Sequence, residues 1–335
     1  MKIKLLYITL GIILFGLILY VAQQTAIQPV PEIQFNEAKD FRTEIKDKKQ
    51  ISGSVPEKNI LKISAAVQDI PSEFIKSILE DSDYNAAGFR ANKIKKMKMT
   101  RADFNALTGF LKDSPSKDSN YLGLHSLKNE IIEAMIANGA FVKELGDEFL
   151  NILEDDNQHP VIVDYVLQYI PEYFNVRWNK SESHEQQEIV KTLYSLMDRQ
   201  DDSIAGTALN SLVALSEIYP IVDQEILSAK AFAMADNTTL TQASRCAALH
   251  YIGRSDSDEA DEILENLSFD TFTPVMVRMV ALSSLTNHAA ANEKDLNNLT
   301  ERIQKEILSA SNEDRRLITA AKAATENLIN IQRGK

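Results

Sequence analysis

The chain has 335 residues, 44% hydrophobic and 25% charged, with a formal net charge of −12 and one cysteine. Such an excess of carboxylates argues against a surface built to neutralise phosphates, so no nucleic acid is expected as partner. A lone cysteine closes no internal disulfide. With only 11 glycines, 9 prolines and 7% aromatics among many Leu, Ile and Ala, the composition points to an all-α fold.

Residues 1–22 begin with Lys2 and Lys4 and then run without charge from Leu5 to Ala22. Eighteen residues rise roughly 27 Å as a helix, close to a bilayer core of about 30 Å. The expectation is a retained N-terminal membrane anchor, because no small-x-small site follows; secretion after signal cleavage is the alternative. The two lysines would stay cytoplasmic and leave the bulk of the chain extracytoplasmic, in the periplasm if the cell is bacterial. Residues 23–70 mix prolines, charges and isolated apolar residues without a sustained period, which describes a flexible tether.

From Pro71 onward helical patterns alternate with short polar breaks, and one pattern recurs. "RCAALHYI" from Arg245 matches "RMVALSSL" from Arg278, while "AGTALNSL" from Ala205 and "VDYVLQYI" from Val163 keep the apolar scheme without the arginine. The anchor residues Leu167, Leu209, Leu249 and Leu282 stand 42, 40 and 33 residues apart. A period near 40 belongs to helix pairs that bury their apolar faces only by stacking on their neighbours. Second helices are predicted near 84–97, 120–137, 160–174, 202–218, 239–253, 272–287 and 312–331. Thr100 with Asp103 reads as a capping box that starts a helix.

These residues resemble HEAT and armadillo-type helical repeats over roughly Pro71 to Ile331, of the kind exported in bacteria. In such families the second helix of each pair carries an Ala-Leu core and often an arginine, which Arg245 and Arg278 match and Val163 and Ala205 do not. The resemblance implies a right-handed α-solenoid of about seven helix pairs across residues 71–331. Its expected function is a membrane-anchored, non-catalytic scaffold for a protein or peptide, a basic one suiting the acidic field. An enzyme of HEAT-like build, metal- or cofactor-dependent, is the alternative, with a nucleic-acid-binding solenoid behind it.

Tyr165, Tyr169 and Tyr173 form an i, i+4, i+8 stripe with Trp178 just beyond, and Tyr251 occupies the repeat column of Tyr169. Aromatic residues suit recognition because they give large contact area for little entropy. Together with Arg245, His250 and Arg278 they form the expected partner-binding set. No catalytic residue, metal site, cofactor or small-molecule substrate is expected. Cys246 and His250 share a helix face at i, i+4, but a nucleophile needs an orienting group and an oxyanion site, and nothing nearby suggests either. The His184-Glu185 pair, a ligand dipeptide in HEAT-like iron hydroxylases, occurs once and reads as a helix N-terminal turn. "RANKIKKMKMTR", from Arg90 to Arg101, holds six basic residues and no acid. It reads as a solvated face or a site for anionic groups.

Overall fold

The computed structural model describes residues 70–113, 121–177, 184–200, 203–255, 257–292, 295–310 and 314–334. The expected anchor and tether therefore lie outside the described residues, save Ile70. Among those described there are fourteen α-helices and no strand. They fall in sequential pairs: α1 (Glu73–Leu79) with α2 (Tyr84–Ala91), α3 (Arg101–Lys112) with α4 (Tyr121–Asn138), and α5 (Val142–Glu154) with α6 (Pro160–Arg177). Next come α7 (His184–Leu196) with α8 (Ile204–Ser216), and α9 (Gln224–Asp236) with α10 (Gln242–Ile252). The last are α11 (Asp258–Phe269) with α12 (Val275–Ala291), and α13 (Leu296–Ile303) with α14 (Arg315–Gly334). A 3-10 turn, Asn92–Lys96, prolongs α2, and a π turn, Gln304–Leu308, prolongs α13. No described helix is long and apolar enough to cross a membrane.

Each predicted second helix is found within a few residues of its expected bounds, and cap chemistry accounts for several of the shifts. Thr241 accepts from Ser244 N, so α10 starts at residue 242 rather than 239. Pro274 stands at the start of α12, because a proline there loses no needed donor; residues 271–273 stay outside the helix. The capping box is present: Thr100 accepts from Asp103 N, and Asp103 accepts in return from Thr100 N at 3.0 Å. Asp103 is buried and also accepts from Ser72 N at 2.7 Å, which ties the first two pairs together. Burial pushes its carboxyl up, but these donors outweigh it and hold the group below the usual range.

Second helices pack on second helices in chain order, α2 on α4, α4 on α6, and so on to α12 on α14, while each also packs on its own first helix. The extensive contacts never skip beyond the next pair. Ala208, Ala248 and Ala281 and the column Leu167, Leu209, Leu249 and Leu282 are all 0% exposed. Recurrence of small and branched residues at those places is thus the trace of one continuous core. α6 contains Pro171, which has no N–H to give to the Leu167 carbonyl one turn back. Ser211 of α8 donates to that carbonyl at 2.6 Å, so the next pair satisfies what the proline leaves open.

One device closes first helices against second ones. Arg245 Nε donates to the Ala235 carbonyl at 2.9 Å and Arg278 Nε to the Ser268 carbonyl at 3.2 Å, each ten residues back at the end of the preceding first helix. Lys128 Nζ does the same in the second pair, reaching the carbonyls of Leu111, at 3.0 Å, and Asp113. A cation here supplies donors to carbonyls that have no helical partner and also meets the negative end of the helix dipole.

Candidate functional site: the outward face of the second helices

The structure sorts the expected partner-binding residues into three groups. Tyr165, Tyr169, Tyr251 and His250 reach the surface, the tyrosines half-buried and the histidine exposed. Tyr173, Arg245 and Arg278 are 0%, 4% and 3% exposed. Trp178 lies outside the described residues.

Burial of the second group corrects the expectation that they form a contact surface. Both arginines are spent on helix-end carbonyls, as above. Tyr173 falls inward because α6 turns about 100° per residue, so an i, i+8 position sits roughly 80° away from its starting residue. Its ring packs edge-on against Phe149, with centroids 5.5 Å apart, and its hydroxyl donates to Glu185 Oε1 at 3.1 Å. Arg177 Nε donates to the same oxygen at 2.9 Å. Glu185 therefore sits in the first turn of α7, as expected, but is buried and closes a three-residue network between pairs. Burial, with Glu185 beside it, pushes the Tyr173 hydroxyl far up. Gly146 makes room for that hydroxyl: a Cβ there would lie 2.1 Å from it.

The surface group is itself divided. Tyr251 and Tyr169 share a repeat column, yet Tyr251 OH lies 2.9 Å from Ser228 Oγ of its own first helix, whereas Tyr169 has Asn129 of the preceding second helix beside it. Only Tyr165 and Tyr169 form a common patch. Carboxylates from two consecutive second helices act on them: Glu130 and Glu133 of α4 and Glu172 of α6 on Tyr169, and Asp164 of α6 on Tyr165. Asp164 accepts from Thr207 Oγ1 at 2.5 Å and Gln168 Nε2 at 2.7 Å, a polar ladder running on to α8. Glu133 pairs with Lys95. Burial, then Glu133, pushes the Tyr169 hydroxyl up to about 12, and burial with Asp164 raises Tyr165. Both phenols thus present neutral O–H groups beside negative charge.

Cys246 is half-buried, and burial pushes its thiol up to about 11 although Arg245 pulls the other way. A thiol held so high is not a nucleophile near neutral pH. Among the described residues no group of three or more His, Cys, Asp or Glu is placed to hold a metal ion. Compared with family models and with curated proteins, the chain matches none.

A cleft of about 430 Å³ lies at the ends of the later first helices, lined by Asp236, Glu265, Leu267, Phe269, Asp270 and Arg302. Arg302 lies over the Phe269 ring, 4.2 Å from its centroid, and pairs with Glu265 and with Glu306 at 2.9 Å. The sequence signals leading to this cleft and to Lys128 are weak, since a lone lysine in "LHSLKNEII" reads as an exposed position of an amphipathic helix.

Proposed function

We propose that this chain is a non-catalytic scaffold whose seven helix pairs stack as a right-handed HEAT-like solenoid. It is held at a membrane by Leu5–Ala22 and binds a basic protein or peptide on the face of α4 and α6. The observation carrying this reading is the pair of half-buried tyrosines, Tyr165 and Tyr169, with Glu130, Glu133, Asp164 and Glu172 acting on their hydroxyls. Tyrosines supply area and hydroxyl donors at little entropic cost, and surrounding carboxylates select a cationic segment and speed its arrival. Pair-by-pair stacking supports the architecture, because each second helix packs on the next second helix in chain order, as a repeat stack requires.

A photo-crosslinking residue at Gln168 in the full chain tests the site. The expected adduct is a lysine- or arginine-rich protein, lost in Asp164→Lys/Glu172→Lys and weakened by raising salt. An adduct that survives both charge reversals, or one formed equally well from Glu259 on a first helix, would remove this face from the account.

A further inference from the structure

The basic stretch Arg90–Arg101 splits into two sets. Arg90 donates to the Ser77 carbonyl at 2.8 Å and pairs with Asp81; Lys95 pairs with Glu133; Arg101 pairs with Glu144 at 2.7 Å. These three are structural. Lys93, Lys96 and Lys98 are exposed and make no ion pair among the described residues. Phe89, immediately before this stretch, is 80% exposed.

The placement is not random around the helix. Ala87, Ala91 and Ile94 are buried and define the inward side of α2 and its 3-10 extension. Phe89, Lys93 and Lys96 follow at i, i+4, i+7 on the opposite side, with Lys98 in the extended strand of chain after it. An exposed aromatic ring with lysines on one helical stripe is the composition of an interfacial segment: the ring enters the acyl boundary while the ammonium groups remain among headgroups. Nothing like it marks the last helix, α14, whose open side carries Arg315, Thr319, Lys322, Glu326 and Asn330 and no large apolar side chain.

We infer that the stripe Phe89–Lys93–Lys96, with Lys98, docks the first helix pair on an anionic lipid surface. Charge complementarity argues for this occupant, here the anionic headgroups of the leaflet on the extracytoplasmic side, since three lysines without an ion pair among the described residues stand on a chain of net charge −12. So does position: the pair is the one joined, through Ile70 and the residues before it, to the apolar run Leu5–Ala22. The inference uses the membrane reading of that run, but not the partner face of α4 and α6.

Phe89→Trp in a Trp178→Phe background gives a single reporter in the full chain. Emission is read on vesicles of phosphatidylcholine alone and with one third phosphatidylglycerol, with and without bromine-labelled acyl chains. The expected result is a blue shift and bromine quenching on the anionic vesicles only, lost at high salt and lost in Lys93→Glu/Lys96→Glu/Lys98→Glu. A reporter that stays in water while the chain floats with both vesicle types overturns the docking inference and leaves the anchor reading intact. A chain that floats only with anionic vesicles, its reporter quenched, retains the docking and removes the anchor. Equal quenching in neutral and anionic vesicles, or a reporter wet on lipid but covered by an acidic protein, also overturns it. Should Trp178→Phe fail to fold, the same differences are read against Trp178 emission with Phe89 intact.

Discussion

The second pair and the fifth and sixth pairs solve one problem with different cations. In each, a residue of the second helix reaches back to carbonyls ending the first helix. Lys128 does this for α3, Arg245 for α9 and Arg278 for α11. The arginines donate to these carbonyls through Nε, from a planar group that keeps its proton. Burial lowers Arg245 somewhat, with Asp236 opposing, yet it starts high enough to stay charged. The lysine is 1% exposed, and burial, against the opposing pull of Asp113, brings its ammonium down from 10.5 to about 8. The same architectural role is therefore insensitive to pH in one region and titratable in the other.

That difference yields the largest effect. An unfolded chain keeps the Lys128 proton up to its ordinary 10.5, whereas the folded chain releases it near 8. Between those values the unfolded state binds more protons, so stability rises as pH climbs through this window and is flat below it. The full gain is on the order of 3 kcal/mol. Urea unfolding of the wild type minus that of Lys128→Met, from pH 7 to 10, isolates this group from other titrations. A difference independent of pH would show that water reaches the amine and that the contrast with the arginines is only formal.

Arg245→Met should cost about 1–3 kcal/mol, because the Ala235 carbonyl is left buried without its donor. Its cost should be the same at pH 7 and pH 10. Arg245→Lys sharpens the comparison: a lysine at this place should acquire the alkaline rise in stability that Lys128 shows. If Arg245→Met unfolds at the wild-type midpoint, helix-end capping is not what keeps this arginine buried.

The interior was legible in the sequence because stacking imposes the same demand on every pair. Ala208, Ala248 and Ala281 must be small where second helices meet, and Leu209, Leu249 and Leu282 must fill the space beside them. Surface roles were less legible, because a repeat column fixes a residue's angle on its own helix but not what the neighbouring helix offers it. Tyr169 meets Asn129, while Tyr251, in the same column, meets Ser228. The arginines were misread for a related reason: a charged residue beside an apolar column looks solvent-facing until the carbonyls that receive it are in view. Lys128 left almost no trace, since its acceptors lie 15 and 17 residues back, off the ten-residue interval that links the arginines to theirs.

Cys246 gives the smallest effect and bears on the same arginine. A thiol next to a guanidinium is the arrangement that usually makes a reactive thiolate. Here burial outweighs the charge and the thiol stands at about 11, because the Arg245 side chain is directed at the Ala235 carbonyl. Alkylation of the folded chain at pH 8 should thus be on the order of 100-fold slower than in urea, in proportion to the thiolate fraction. Cys246→Ser should change stability by no more than about 0.5 kcal/mol, as at positions outside a buried network. Arg245→Met removes the one charge drawing the thiol down, so it should slow alkylation further wherever the fold persists. Acceleration in that variant without unfolding would mean that the arginine shields the sulfur sterically, and that its capping bond is the lesser of its two roles.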